Sequence, residues 1–349
     1  MGELDIEKDV CMIGLGVTAP CYYRIMLPAM QMKCDWAGVN GLPPKLHWVT
    51  GSVKGDSKMP DLIDDYKVVI IQQPSGGAWL QMIETMQEHG KKVVFEVDDY
   101  LHGINKREDH EFASSFDQRA LLLFEDCMRA ADAMIVSTDY IAQKYKKYNP
   151  NIYVCRNGID LARYNLTKPK RDTVNIGWAG ATGHTKSMMP WLNQVNGVMQ
   201  QKPETTFVSI GMPFAQALRP YVGEERAITI PWAAIEQYPS AMSMFDIALA
   251  PGGGSGWYKG KSDLRWLEAS ALGIPIIARP SIYPEIEHGV TGFHATSPNE
   301  MVEYLMAMIG DAGLRERIGI NAKEYVTVYR RIEKMAEGWR NALRGIHAA

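Results

Sequence analysis

Short β-branched runs alternate along the chain with longer stretches of helical period, which predicts parallel α/β layers. Strands are expected at 9–15, 46–50, 67–72, 92–97, 133–137 and 152–155 in the first half. In the second half they are expected at 174–178, 206–211, 227–231, 246–250, 274–278 and 291–295. Helical spacing of apolar residues fills 118–130, 138–148, 186–201 and 298–309. The halves echo each other. Ile13-Gly14-Leu15-Gly16 and Ile176-Gly177-Trp178-Ala179-Gly180 each carry a strand into a glycine turn, and Asp132 and Asp246 each lead into a strand. Between them, the polar and proline-containing 165–173 reads as a linker. The expected fold is α/β, with two Rossmann-like, doubly wound parallel-sheet domains (1–165 and 166–325) facing a cleft. A terminal helix at 326–349 can pack back on the first domain.

One stretch breaks the pattern. In KGKSDLRWLEASALGIPIIA (259–278), Leu264, Leu267, Glu268 and Ala271 share a helix face that should be apolar throughout. Ser262 is the expected N-cap. Burying the unpaired Glu268 carboxylate costs several kcal/mol, so it needs partners. Lys259 and Lys261 stand just ahead of the helix start, where the dipole disfavours cations. A diphosphate held by Lys261 and the N–H donors around Ser262 and Asp263 offsets that placement, and ribose hydroxyls suit Glu268. The competing reading pairs Glu268 with Arg265 or a neighbouring strand.

Other candidates sit at strand ends. Gly180, Thr182, His184 and Lys186 belong to a turn that opens a helix and suits a phosphate, or else form a surface turn with a solvated lysine. Gly14 to Ala19 matches G-x-G-x-x-A, with Gly16 at its second glycine and Asp35 about twenty residues on. Pro20 and Cys21-Tyr22-Tyr23-Arg24 make that loop wider than a nicotinamide site uses, and a plain strand-to-helix turn is the alternative. Asp98 and Asp99 follow a strand at the end where open α/β sheets bind ligands. There they can orient hydroxyls, act as a base or hold a metal, or simply cap the next helix.

Composition narrows the class. The 349 residues, 46% hydrophobic and 22% charged with a formal net charge of −3, describe a soluble globular protein with no global pull toward nucleic acid or membrane. Five scattered cysteines without a C-x-x-C pair read as reduced thiols. The charged N-terminus is no signal peptide, and no apolar run reaches the roughly 20 residues that span a bilayer. The expected compartment is the cytoplasm. Locally, 144–148 (KYKKY) and 168–171 (KPKR) are basic and could meet an anionic acceptor.

In order, these segments resemble the GT-B glycosyltransferases, above all the retaining family 4 or group 1. Residues 153–164 (YVCRNGIDLARY) are similar to that group's V-x-x-N-G-V-D-x-x-x-F junction. Residues 259–295 are similar to its donor block, and 311–325 (DAGLRERIGINAKEY) to its D-x-x-L-R-x-x-L-G-x-x-A helix. The resemblance implies a transferase taking a UDP- or GDP-type sugar donor, with no further cofactor or metal, and retaining the anomeric configuration. Glu268 matches the second glutamate of E-x7-E, which binds ribose. Lys261 and Lys186 approximate the diphosphate-binding cations, while Asp98 and Asp99 fall where many members place a histidine near the reacting sugar. The first glutamate is replaced by Gly260. Glycan, anionic lipid and nucleic acid carrying a hydroxylated base are the acceptor classes left open. Rival readings are a sugar-nucleotide epimerase of the same fold, a metal-dependent transferase using Glu96-Val97-Asp98, and a non-catalytic nucleotide-sugar-binding protein.

Overall fold

Strands that are apolar on both faces need cover on both sides, and they set the architecture. The computed structural model describes residues 3–16, 18–42, 45–51, 65–105, 116–169 and 171–349. The first sheet contains β1 (Val10–Leu15), β2 (Asp35–Leu42), β3 (Lys45–Gly51), β4 (Val68–Gln72), β5 (Lys92–Val97), β6 (Ala133–Val136) and β7 (Ile152–Val154). Its order is β3-β2-β1-β4-β5-β6-β7, parallel except for β3 at the edge. The second sheet contains β8 (Val174–Gly180), β9 (Thr205–Gly211), β10 (Ala227–Ile230), β11 (Ile247–Ala250), β12 (Ile276–Ala278) and β13 (Phe293–His294). It runs β10-β9-β8-β11-β12-β13, parallel throughout. Both orders reverse direction beside a first strand, at β1/β4 and β8/β11, and open sheets bind ligands at the strand ends there.

Two expectations change. Strand β2 is not legible in DWAGVNGL, whose glycines and asparagine weaken strand propensity. The run expected at 46–50 is antiparallel to it, so the first sheet is mixed rather than wholly parallel. Asp35 opens β2 opposite Cys11 and accepts a hydrogen bond from Tyr66 Oη at 2.8 Å. It therefore lies at the far end of the sheet from Gly16, which removes the dinucleotide pairing.

Helix α1 spans 19–32, with a π turn at Tyr22–Met26. The others used below are α2 (Gly77–Glu88), α3 (Gln118–Ala130), α4 (Asp139–Tyr145), α5 (Thr185–Gln201), α6 (Gly256–Gly260), α7 (Leu264–Ala271), α8 (Pro298–Gly310), α9 (Ala312–Tyr329) and α10 (Ile332–Ala348). Helices α2 and α3 cover one face of the first sheet through Trp79, Ile83, Met86, Phe124, Cys127 and Met128. The other face is closed by α1 and α10, where Ala336, Trp339, Leu343 and Ile346 share a core with Met12, Ile25, Ala29 and Met32. In the second sheet α5 and α8 share a core beneath β8 and β12. Among the described residues, no helix is long and apolar enough to cross a membrane. All five cysteines are buried and unbonded.

The chain returns to the first domain at Arg330. Ile159 N–H donates to the Arg330 carbonyl, and Ile332 N–H to the Ile159 carbonyl, both at 2.9 Å. The Arg330 side chain, 5% exposed, holds both Asp263 oxygens at 2.6 and 2.9 Å, Glu285 at 2.6 Å and the Asn157 carbonyl at 3.1 Å. One guanidinium thus ties the junction, the start of α7 and the loop before β13. Breaking a buried pair from one side costs about 3–5 kcal/mol, because the other charge is left uncompensated. Arg330→Ala should lose that much in urea denaturation, and an unchanged midpoint would refute the hub.

Candidate active site in the interdomain cleft

The two switch points face one cleft of about 510 Å³. The first domain contributes Thr18, Ala19, Tyr22, Tyr23, Asp98 and Asp99, and the second Gly180, His184, Trp232, Tyr238, Lys261 and Arg265, with Glu268 among the rest.

Glu268 leaves the apolar face of α7 at 4% exposure. Its partners are hydroxyls: Tyr23 Oη donates to Oε1 at 2.7 Å and Tyr238 Oη to Oε2 at 3.3 Å. Neither Arg265 nor a neighbouring strand pairs with it as the competing reading had it. Burial pushes its carboxyl up to about 7, against the opposing Tyr23 hydrogen bond and the Arg265 charge. Tyr23 reaches across from α1, where the π turn aims three successive side chains differently. Tyr22 lies under the Arg163 guanidinium, Tyr23 meets Glu268 and Tyr164, and Arg24 is buried on Glu96 at 2.6 Å.

Lys261 lies on the same side of the cleft. It places Nζ at 2.8 and 2.9 Å from the Asp99 oxygens and 4.0 Å from the Trp257 ring centroid. Trp257 Nε1 also donates to Asp99 at 3.3 Å. The second domain's cation is therefore held by the first domain's carboxylate. Asp98 accepts from Gln73 Nε2 at 2.9 Å, and Gln73 adopts a left-handed φ of 46°, uncommon for a residue with a side chain. Burial, reinforced by the Asp99 charge, pushes the Asp98 carboxyl up. His184 stacks on Trp257, and burial with Arg265 and Lys261 nearby pushes its imidazole well down, so it is neutral. Its Nδ1 is buried with no protein partner among the described residues.

Several expected residues go elsewhere. Asp263 belongs to Arg330 and turns from the cleft. It, not Ser262, stands at the N-cap of α7, and without a side-chain capping bond. Ser262 lines the cleft and accepts from Asn157 Nδ2 at 2.9 Å. Lys186 opens onto a separate cavity of about 270 Å³ with Trp191, Gly253 and Arg279. Gly16 is not in the cleft wall. It adopts φ 72° and donates to the Val39 carbonyl, leaving Thr18 and Ala19 to line the site. The Thr182 side chain lies outside the described residues.

No family model matches the chain. Solved structures match over nearly its whole length. HepE of Anabaena, solved with UDP-glucose, is 13% identical with a TM-score of 0.68, covering 97% of this chain and 100% of HepE. Sucrose-phosphate synthase of Thermosynechococcus elongatus is 13% identical with a TM-score of 0.68, covering 98% of this chain and 99% of that one. A glycosyltransferase of Rickettsia africae is 12% identical with a TM-score of 0.66, covering 97% and 98%. The chain has the GT-B fold.

Within that GT-B frame, sequence reasoning missed Tyr23 and Tyr238, and had Arg265 only as the alternative partner of Glu268 rather than as a cation of the cleft. Arg265 left a signal, since it precedes Glu268 by three residues and so shares its helix face. The position of Gly260 also gains a physical cause. A Cβ there would lie 2.8 Å from Tyr100 Cβ and 3.3 Å from Tyr100 N, so α6 abuts the first domain with no room for a side chain. Gly260→Ala should cost about 1–3 kcal/mol, as overpacking does; an unaltered melting curve would show that the seam yields freely. Glu268 predicts a pH signature. With the folded pKa near 7 and the ordinary glutamate value at 4.5, the wild type loses stability as pH rises through that window. Glu268→Gln should gain on the wild type by on the order of 3 kcal/mol between pH 4.5 and 8. Parallel pH profiles of the denaturation midpoint would contradict it.

Proposed function

We propose that the protein is a glycosyltransferase that moves a sugar from a nucleoside diphosphate to an acceptor hydroxyl. The observation that carries this reading is the alternation of charge along the cleft. A carboxylate partnered by hydroxyls, Glu268, is followed by the cations Arg265 and Lys261 and then by the carboxylates Asp99 and Asp98. A nucleoside diphosphate sugar offers the matching series of ribose hydroxyls, phosphates and sugar hydroxyls. In this arrangement Glu268 accepts from the ribose in place of the tyrosines. Lys261, Arg265 and the Gly180 turn neutralise the leaving diphosphate as fixed donors, with no metal required. His184 Nδ1 gains a partner from the ligand. The GT-B fold supports the class, and the UDP and UDP-glucose bound to HepE favour a uridine donor over a guanosine one.

Asp98 faces the reacting end. Its raised pKa suits it to take the proton of an acceptor hydroxyl, and closure of the cleft would exclude competing water. The group 1 resemblance favours retention of configuration. An anionic acceptor is favoured by the end of the first domain beside Tyr100. There Lys144 lies over the Tyr140 ring and Lys147 over Tyr148, and Tyr140 packs edge-on against Tyr100.

Calorimetry with UDP and UDP-glucose tests the reading. Glu268→Ala should weaken both by about tenfold or more, the loss of one charged hydrogen-bonding partner, without lowering the folded fraction. Unchanged affinity would remove the ribose assignment. Asp98→Asn should lower turnover by ~10²-fold while donor affinity stays near wild type; full turnover would displace the reacting end. Tight binding with neither hydrolysis nor transfer would favour a non-catalytic binding protein instead.

A further inference from the structure

We propose that Asp99 is a donor-sugar positioning residue, through which the first domain selects the sugar-bearing nucleotide over the bare diphosphate. The proposal rests on the nucleotide-sugar reading above. Its starting point is a seam between the 99–103 turn and α6 that is glycine on both sides. A Cβ on Gly103 would collide with the Gly256 and Trp257 backbone, and one on Gly260 would press on Tyr100. Thr138 Oγ1 donates across the same seam to the Gly260 carbonyl at 3.4 Å. With the two backbones this close, a carboxylate beside Lys261 cannot be supplied by residue 260. It is supplied from the other domain, one residue before Tyr100.

The chemistry follows from counting charges. Lys261 carries one positive charge, already shared between both oxygens of Asp99. A diphosphate reaching Lys261 competes for that charge and, among the described residues, leaves Asp99 with the Trp257 N–H, beside the second carboxylate of Asp98. Carboxylates so placed repel phosphate and need hydroxyl donors. On this side of the diphosphate the ligand's only hydroxyls are those of its sugar. A bare nucleoside diphosphate therefore breaks the Asp99–Lys261 pair without replacement. A nucleotide sugar breaks it and supplies hydroxyls to the released carboxylate.

The test is a ratio of affinities. UDP-glucose, UDP-N-acetylglucosamine and GDP-mannose are titrated into the full chain by calorimetry, each against its own nucleoside diphosphate. In Asp99→Asn, the wild-type preference for the best nucleotide sugar over its diphosphate should fall about tenfold, while the diphosphate binds as well or better because Lys261 is released. Lys261→Ala should weaken sugar nucleotide and diphosphate together. Asp99→Ser gives the same ratio if the asparagine variant melts early. An unchanged ratio in the Asp99 variants, or equal losses for both ligands, overturns the proposal and leaves the nucleotide-sugar reading standing. Failure of the wild type to bind any of the five ligands overturns that reading, and this one with it.

Discussion

A carboxylate at 4% exposure, met by phenol hydroxyls, is the constraint on which the cleft depends. Desolvation disfavours its charged form, and hydroxyl donors offset the cost without fixing a cation in place. Those donors come from far apart. Tyr238 follows β10, while Tyr23 sits on the π turn of α1 in the other domain. For Tyr23 to arrive, α1 must be held rigidly, which the Arg24–Glu96 pair and the Trp339 face of α10 accomplish. Exchanging a tyrosine hydroxyl for a ligand hydroxyl changes the net hydrogen bonding little.

The same logic governs the misplaced lysine. Lys261 is poorly sited against its own helix, yet the carboxylate of Asp99 and the face of Trp257 hold it. Two polar bridges, Tyr23 to Glu268 and Lys261 to Asp99, are among those that join the first domain to the second. Both use the groups assigned to the donor. On the proposed donor assignment, ligand binding and domain contact draw on shared side chains. Coupling of this kind needs no relay through the sheets, because the contacts are direct.

Much of this was legible in the sequence, for identifiable reasons. Strands buried on both faces announce themselves as apolar runs, and twelve of the thirteen among the described residues were expected near their observed places. Strand β2 was not, because Gly38, Asn40 and Gly41 erase the pattern, leaving it to be specified by its pairing with β1. Glu268 was visible as a charge on an apolar stripe. Its partner Tyr23 was not, since 245 residues separate them and local periodicity carries no information at that range. Asp263 looked like a phosphate-side group from its position before α7. The orientation of its side chain is decided by Arg330, 67 residues later. Lys186, at the start of α5, likewise lines a separate cavity with Gly253 and Arg279 rather than the cleft wall with Lys261.

Gly260 shows how an absence in sequence can be a presence in structure. Read along the chain it is a missing carboxylate, and its neighbours give no reason for the loss. Read across the cleft it is a contact surface, where a glycine lets one domain's backbone approach the other's. Close approach brings the 99–103 turn within reach of Lys261, so the space denied to a side chain at 260 is what allows Asp99 to arrive. The carboxylate beside the cation is thereby supplied by the other domain. A group that must cross between domains to reach its cation can report on their separation, which a glutamate on the same loop as Lys261 could not do.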